Sequence, residues 1–200
     1  MTDKVLPFRL RRGSNPETPR DEDLIRACAS GDNGALDDLF RRHGERVHRV
    51  IGRLRMVDRK DLDDIVQTTF LEVHRSAGRF EGGAAVGSWI LGVAMNVVRH
   101  HVRSESRRRL AMTSMARLPA SQSAGRPDDQ AAQQQAMVRL QAGVDSLPEI
   151  LRIVFTLCDI EGLKGVEVGR ILEVPEGTIW RRLHEARIRL LVCIAGQVSK

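Results

Sequence analysis

Apolar residues recur at three- and four-residue intervals along most of the chain, a rhythm that predicts helices rather than strands. From Asp21 onward, Leu24, Ile25 and Cys28, then Leu36, Leu39, Phe40, Val47, Val50, Ile51 and Leu54, fall into this pattern. The break at "SGDNG" (30–34) divides a short helix from a longer one, with Asp32 or Asn33 as its N-cap. A third helix is predicted over Asp61 to Phe80, its stripe formed by Leu62, Ile65, Val66, Phe70 and Val73, with Gly78 near its end. "EGGAAVG" (81–87) reads as a glycine-rich loop. Ser88 is placed to cap a fourth helix with apolar Trp89, Ile90, Val93, Ala94, Val97 and Val98, which runs out into the basic "RHHVRSESRRR".

The rhythm then stops. Residues 111–136 collect Ser, Gln, Pro and Asp and read as a tether. It resumes with Met137, Leu140 and Val144, then a helix starting near Pro148, a residue favoured in a first helical turn. "LKGVEVGRILEV" and "PEGTIWRRLHEARIRLLVCI" predict two more helices. The expected architecture is all-α: a flexible basic arm (1–20), a first helical domain (21–108), a flexible linker (109–136) and a second helical domain (137–200).

Composition supports helices, since aromatics are only 4% and Tyr is absent. The 42% hydrophobic content is enough for packed cores. A net charge of +6 suits a polyanionic partner, nucleic acid or an anionic membrane surface. The three cysteines, Cys28, Cys158 and Cys193, are far apart and sit among apolar residues. That pattern points to buried thiols rather than disulfides or structural zinc. The N-terminus has no apolar signal core, and no apolar run approaches the ~20 residues that span a bilayer. A soluble cytoplasmic protein without membrane insertion is expected.

Three constellations can carry function. Val168, Leu172, Val174, Ile179 and Leu183 are spaced to pack two helices across the short "LEVPEG" connection, as a helix-turn-helix requires. Thr178, Arg181, Arg182, His184, Glu185 and Arg187 then fall on or near the outer side of the second helix, which suits a major groove. The bland alternative is a solvated basic face. Trp89, Asn96, His100, Arg103 and Arg107 share roughly one side of the fourth helix. A stacking aromatic, an amide and cations suit unpaired nucleic acid, while a core Trp with a solvated basic end is the alternative. Asp61, Asp63, Asp64 and Gln67, backed by Phe70, make an acidic face that suits a protein partner or is simply a solvated helix start. The adjacent His100 and His101 point to different sides of a helix, which is poor metal geometry. No nucleophile–base pair or phosphate-binding glycine motif occurs, so neither catalysis, a metal nor a cofactor is expected.

Together these segments resemble the extracytoplasmic-function (ECF) class of bacterial RNA polymerase sigma factors. "DLDDIVQTTFLEVHRSAGRF" is similar to that family's polymerase-binding segment and "SWILGVAMNVVRHHVRSESRRR" to its promoter-melting helix. "SLPEILRIVFTLCDIEGLKGVEVGRILEVPEGTIWRRLHEARIRL" is similar to its C-terminal helix-turn-helix. The resemblance covers about residues 21–108 and 137–195, in the family's order. It implies a dissociable initiation subunit that binds core RNA polymerase through Asp61, Asp64, Gln67, Phe70 and Leu71. It implies −10 contacts from Phe80, Trp89, Asn96, Arg99, His100, Arg103 and Arg107, with a flipped base held in the 80–88 loop. It implies −35 contacts from Thr178, Trp180, Arg181, Arg182, His184, Glu185 and Arg187, and an anti-sigma partner.

The chain departs from the family pattern at several points. Glu173 stands where the helix-turn-helix bend usually has Gly, and Gly169 where the preceding helix usually has a small Ala. Arg181 and Glu185 replace the frequent Ser and Arg, and the 82–87 loop lacks a polar residue to grip a base. Two rival readings remain. A helix-turn-helix regulator acting without polymerase leaves the 61–108 constellation idle. A nucleic-acid-cutting enzyme needs clustered carboxylates or an activated nucleophile.

Overall fold

The computed structural model describes residues 19–112 and 139–196, and every described element is helical. Most of the basic arm and most of the linker expected from the sequence lie outside these residues. Helix α1 (Asp21–Ala29) begins with Asp21, Glu22 and Asp23, carboxylates that complement the positive end of the helix dipole. It buries Leu24, Ile25 and Cys28. Helix α2 (Asn33–Leu54) is capped by Asp32, whose Oδ1 accepts from the Gly34 N–H at 2.8 Å and the Ala35 N–H at 3.4 Å. Its buried positions, Leu39, Val47, Val50, Ile51 and Leu54, follow the predicted stripe.

Asp21 ties the first two helices together. Its carboxylate accepts from Arg42 Nη1 at 2.7 Å and meets His43 Nε2 at 2.8 Å. Burial works to raise its pKa, but the Arg42 and His43 hydrogen bonds outweigh this and hold it below the ordinary carboxylate value.

A 3-10 turn (Arg59–Asp61) leads into α3 (Leu62–Ser76), and a second (Ala77–Arg79) ends it. The helix expected over 61–80 is therefore shorter, with tightened turns at both ends. Helix α4 (Val86–Met112) starts two residues before the expected Ser88 cap and runs four past the expected domain end. Val86 is 1% exposed, so burying it extends the first turn upstream, and Ser88 is itself buried within that turn. Leu91 and Met95, absent from the predicted stripe, are fully buried because α4 packs against α2, α3 and also α7.

In the C-terminal half, residues 139–146 are helical (α5), followed by α6 (Glu149–Phe155) and a π-turn (Thr156–Ile160). Helix α7 (Gly165–Ile171) and helix α8 (Glu176–Gly196) complete the described fold. Pro148 sits at the N-cap of α6, close to where the sequence puts a helix start. Val168, Ile179 and Leu183 are at most 1% exposed where α7 meets α8.

The sequence pattern gives no sign that the two halves share a core, yet the buried cluster of α1–α4 continues into Ile171 and the α6–α8 interior. Gly92 of α4 comes so close to α7 that an added Cβ would lie 3.3 Å from the Ile171 carbonyl oxygen. Arg152 of α6 reaches the last carbonyls of α2, Leu54 at 3.5 Å and Arg55 at 3.4 Å. A cation there also complements the negative end of the α2 dipole.

Candidate nucleic-acid interface

On α3 the side chains Asp64, Gln67 and Leu71 are three and four residues apart, so they share one outward face. All three are exposed, Leu71 at 49%. Asp61 lies at the helix N-cap and is partly buried. Phe70 is placed differently: it is 4% exposed and meets Phe40 edge-to-face at 4.9 Å. It braces the helix from inside, and half-exposed Phe40 supplies the outer aromatic surface that the sequence pattern misses. The 40/70 relation has no local spacing that would reveal it.

The loop before α4 turns on Gly82 (φ 79°) and Gly83 (φ 75°), a left-handed backbone that glycine adopts without a Cβ clash. Phe80 and Trp89 flank this loop, their rings edge-to-face at 5.6 Å. Along α4, Asn96, His100, Arg103 and Arg107 are exposed on the side that carries Trp89. Trp89, Asn96 and His100 line a groove of about 960 Å³ whose other wall is Thr68, Glu72 and Arg79. Arg79 and Arg108, absent from the expected site residues, add cations to that groove. Its mixed walls, flat rings beside cations, can take stacked bases and a phosphate backbone together. Arg99 departs from this group. It lies seven residues after Gly92, on the flank toward the C-terminal half, and its Nε meets Glu149 at 3.3 Å.

The α7–α8 connection is a tight turn. Glu173 adopts φ 54°, a left-handed conformation that disfavours a side chain, and the Val174 N–H donates back to the Gly169 carbonyl at 2.9 Å. A Cβ on Gly169 would lie 2.9 Å from the Val174 carbonyl oxygen, which is why this helix holds Gly despite its propensity cost. The turn presents α8 with Arg181, His184 and Glu185 exposed at the spacing of one outward face. Thr178 and Arg182 form one flank of it.

Three of the expected reading residues are engaged within the fold. The Arg187 guanidinium makes a two-point contact with Asp159, Nε to Oδ2 at 2.9 Å and Nη2 to Oδ1 at 2.6 Å, which raises its pKa. Glu185 accepts both the Nε (3.1 Å) and Nη2 (2.7 Å) of Arg189. Trp180 lies over Gly165, where a Cβ would sit 2.7 Å from its ring, and donates its indole N–H to Glu176 at 3.1 Å. The neighbouring Cys158 thiol is pushed up to about 11 by burial and by Asp159, so it is protonated at neutral pH.

No cluster of His, Cys, Asp and Glu able to hold a metal occurs among the described residues, nor any helix long and apolar enough to cross a membrane. A helical half with an aromatic-flanked groove that carries both arginines (Arg79, Arg108) and glutamates (Glu72, Glu173) is thus joined to a helix-turn-helix half. The sigma-70 region 2 family matches residues 39–108, and the sigma-70 region 4 family matches residues 137–190. These matches define a two-part sigma factor of the sigma-70 type.

Similarity to individual proteins narrows the class. The chain is 35% identical over 177 residues to the ECF RNA polymerase sigma factor SigE of Mycolicibacterium smegmatis, covering 86% of this chain and 67% of the relative. It is 33% identical over 175 residues to the ECF RNA polymerase sigma factor SigM of Mycobacterium tuberculosis, covering 85% and 82%. The chain belongs to the ECF RNA polymerase sigma factors. Its fold is shared with the sigma factor RpoE of Bartonella quintana, solved in complex with the anti-sigma factor NepR (TM-score 0.60, 16% identity, 80% of this chain and 96% of that one).

Proposed function

We propose that this ECF sigma factor divides promoter recognition between its two halves, with residues 21–108 binding polymerase and the −10 element and residues 137–200 binding the −35 element. The observation that carries the reading is the groove between α3 and α4. It places Trp89, Asn96 and His100 opposite Arg79, a surface for an unpaired strand that a regulator of duplex DNA has no use for.

In this reading Asp64, Gln67 and Leu71, with Asp61 at the helix start, dock on core polymerase, and Phe70 acts by bracing them. Phe80 and Trp89 border the loop that receives an extruded base, and Asn96, His100, Arg103 and Arg107 follow the strand. On α8, Arg181, Arg182, His184 and Thr178 enter the major groove. Trp180 and Arg187, each about half exposed, border that face while fixing the turn and the helix orientation through Gly165, Glu176 and Asp159, and Glu185 is shared with Arg189. The chain contributes no covalent chemistry, because polymerase holds the active site, and it works in the cytoplasm. The fold shared with a sigma factor solved beside its anti-sigma factor supports a protein regulator of that kind.

Run-off transcription with core polymerase and a promoter library tests the function. Promoter-specific transcripts that need this chain are expected, and their absence overturns the reading.

A further inference from the structure

The outward side of α8 carries a carboxylate among its cations. Opposite the buried stripe of Ile179, Leu183, Ala186 and Leu190, the exposed side chains Arg181, His184 and Glu185 fall within about three turns of the helix start. The next residues on that side, Ile188, Leu191 and Val192, are apolar and 47%, 66% and 66% exposed. Their side chains have no hydrogen-bonding group. Glu185 is therefore the last residue of the outward face able to read a base edge by a hydrogen bond.

A carboxylate in a major groove stands between two rows of phosphates, and an unmatched one weakens binding to every sequence. Here the charge is matched in place. Arg189, four residues on, donates Nε at 3.1 Å and Nη2 at 2.7 Å, both to the same Glu185 oxygen, Oε1. Among the described residues nothing donates to the second oxygen, Oε2. The two side chains stay open to solvent, 48% exposed for Glu185 and 53% for Arg189, so the pair is not spent on holding α8 to the rest of the fold. What remains is a neutralised acceptor with one oxygen unused.

That chemistry discriminates among bases. Guanine presents the acceptors N7 and O6 in the major groove, and thymine presents O4 beside its methyl group, so neither offers a proton to a carboxylate. Adenine offers its N6 amino group, but the N7 acceptor next to it repels a second carboxylate lone pair. Cytosine offers the N4 amino group with no acceptor alongside. An arginine at this place would instead seek guanine O6 and N7, so the acidic residue changes which sequence is read and not only how tightly.

We infer that Glu185 is a specificity-determining residue that selects a cytosine at one position of the −35 duplex through its N4 amino group. Arg189 matches the charge of that carboxylate and touches no base. The inference rests on the proposed reading role of α8.

The full chain bound to core polymerase tests this with a promoter library randomised through the −35 element, the bound DNA being sequenced. The unmodified chain should enrich cytosine over the other bases about tenfold at one position. Glu185→Ala should flatten that position and no other. Glu185→Gln sets an amide donor beside the acceptor and should move the preference from cytosine to adenine, whose N6 and N7 an amide pairs together. Arg189→Ala should keep the cytosine preference while weakening selected and unselected duplexes by the same factor. A selection that Glu185→Ala and Glu185→Gln both leave unchanged overturns the inference, and is the result expected of a solvated pair that only steadies the helix. A base preference that moves with Arg189→Ala overturns it as well. Arg181→Ala, read in the same library, separates the two levels of the argument. A position altered by Arg181→Ala but none by the Glu185 variants defeats the inference alone, whereas no altered position for any of these variants defeats the reading role of α8.

Discussion

The α7–α8 turn predicts opposite outcomes for one chemical change made at two glycines. Alanine is favoured over glycine within a helix by about 1 kcal/mol. At Gly177 nothing lies within 4 Å of an added Cβ, so Gly177→Ala should gain up to about that amount. At Gly169 the Cβ would meet the Val174 carbonyl oxygen at 2.9 Å. The partner is backbone and cannot swing away, so α7 and α8 must part. Overpacking of this kind costs roughly 1–3 kcal/mol, and straining the 2.9 Å Val174–Gly169 hydrogen bond adds about 1 kcal/mol. Against the propensity gain, Gly169→Ala should be destabilising by roughly 1–3 kcal/mol. For a chain of this length that lowers the melting temperature by about 2–12 °C, whereas Gly177→Ala raises it by up to about 2–4 °C. Thermal melts followed by far-ultraviolet circular dichroism measure both. A Gly169→Ala protein melting at or above the unmodified chain refutes the steric reasoning.

Asp21 gives a pH-dependent test. Its folded pKa lies below the ordinary value of 3.8, so its contribution is fully present above that value and is lost as pH falls through the folded pKa. Asp21→Asn should therefore cost roughly 1 kcal/mol in denaturant titrations at neutral pH, and the difference should vanish in acid well below 3.8. On α8, Arg181→Ala should reduce the salt slope of −35 duplex binding by about one counterion. Arg187→Ala should change that slope less, since its charge is already matched by Asp159, and should lower the melting temperature instead. Equal salt slopes for the two variants would return Arg187 to the DNA surface.

Features set by neighbouring residues were legible in the sequence. The Asp32 cap, the α2 stripe and the α7–α8 pairing each depend on residues a few positions apart. The start of α4 was misplaced because a capping serine is a weaker determinant than burial of Val86, which only the tertiary fold reveals. Leu91 and Met95 fell outside the predicted stripe because one helical period describes one buried face, and α4 is covered on more than one. Arg55 and Asp145 are ninety residues apart, and no periodicity predicts such a pair. The candidate DNA surfaces were readable as groups of residue types but not by individual role. Trp180 and Arg187 fit a contact pattern in one dimension, and their additional partners within the fold, Gly165 and Asp159, become visible only when the helices are packed.

Trp89 and Trp180 are the two tryptophans of a chain without tyrosine, and each sits on a different one of the helices proposed to contact DNA. The first rests beside Phe80 in a half-buried notch, and the second lies over Gly165 with its indole N–H held by Glu176. The protein therefore carries an intrinsic optical label in each half. Replacing one indole with phenylalanine leaves the other to report, by its emission colour and its quenching, when that half alone engages a promoter.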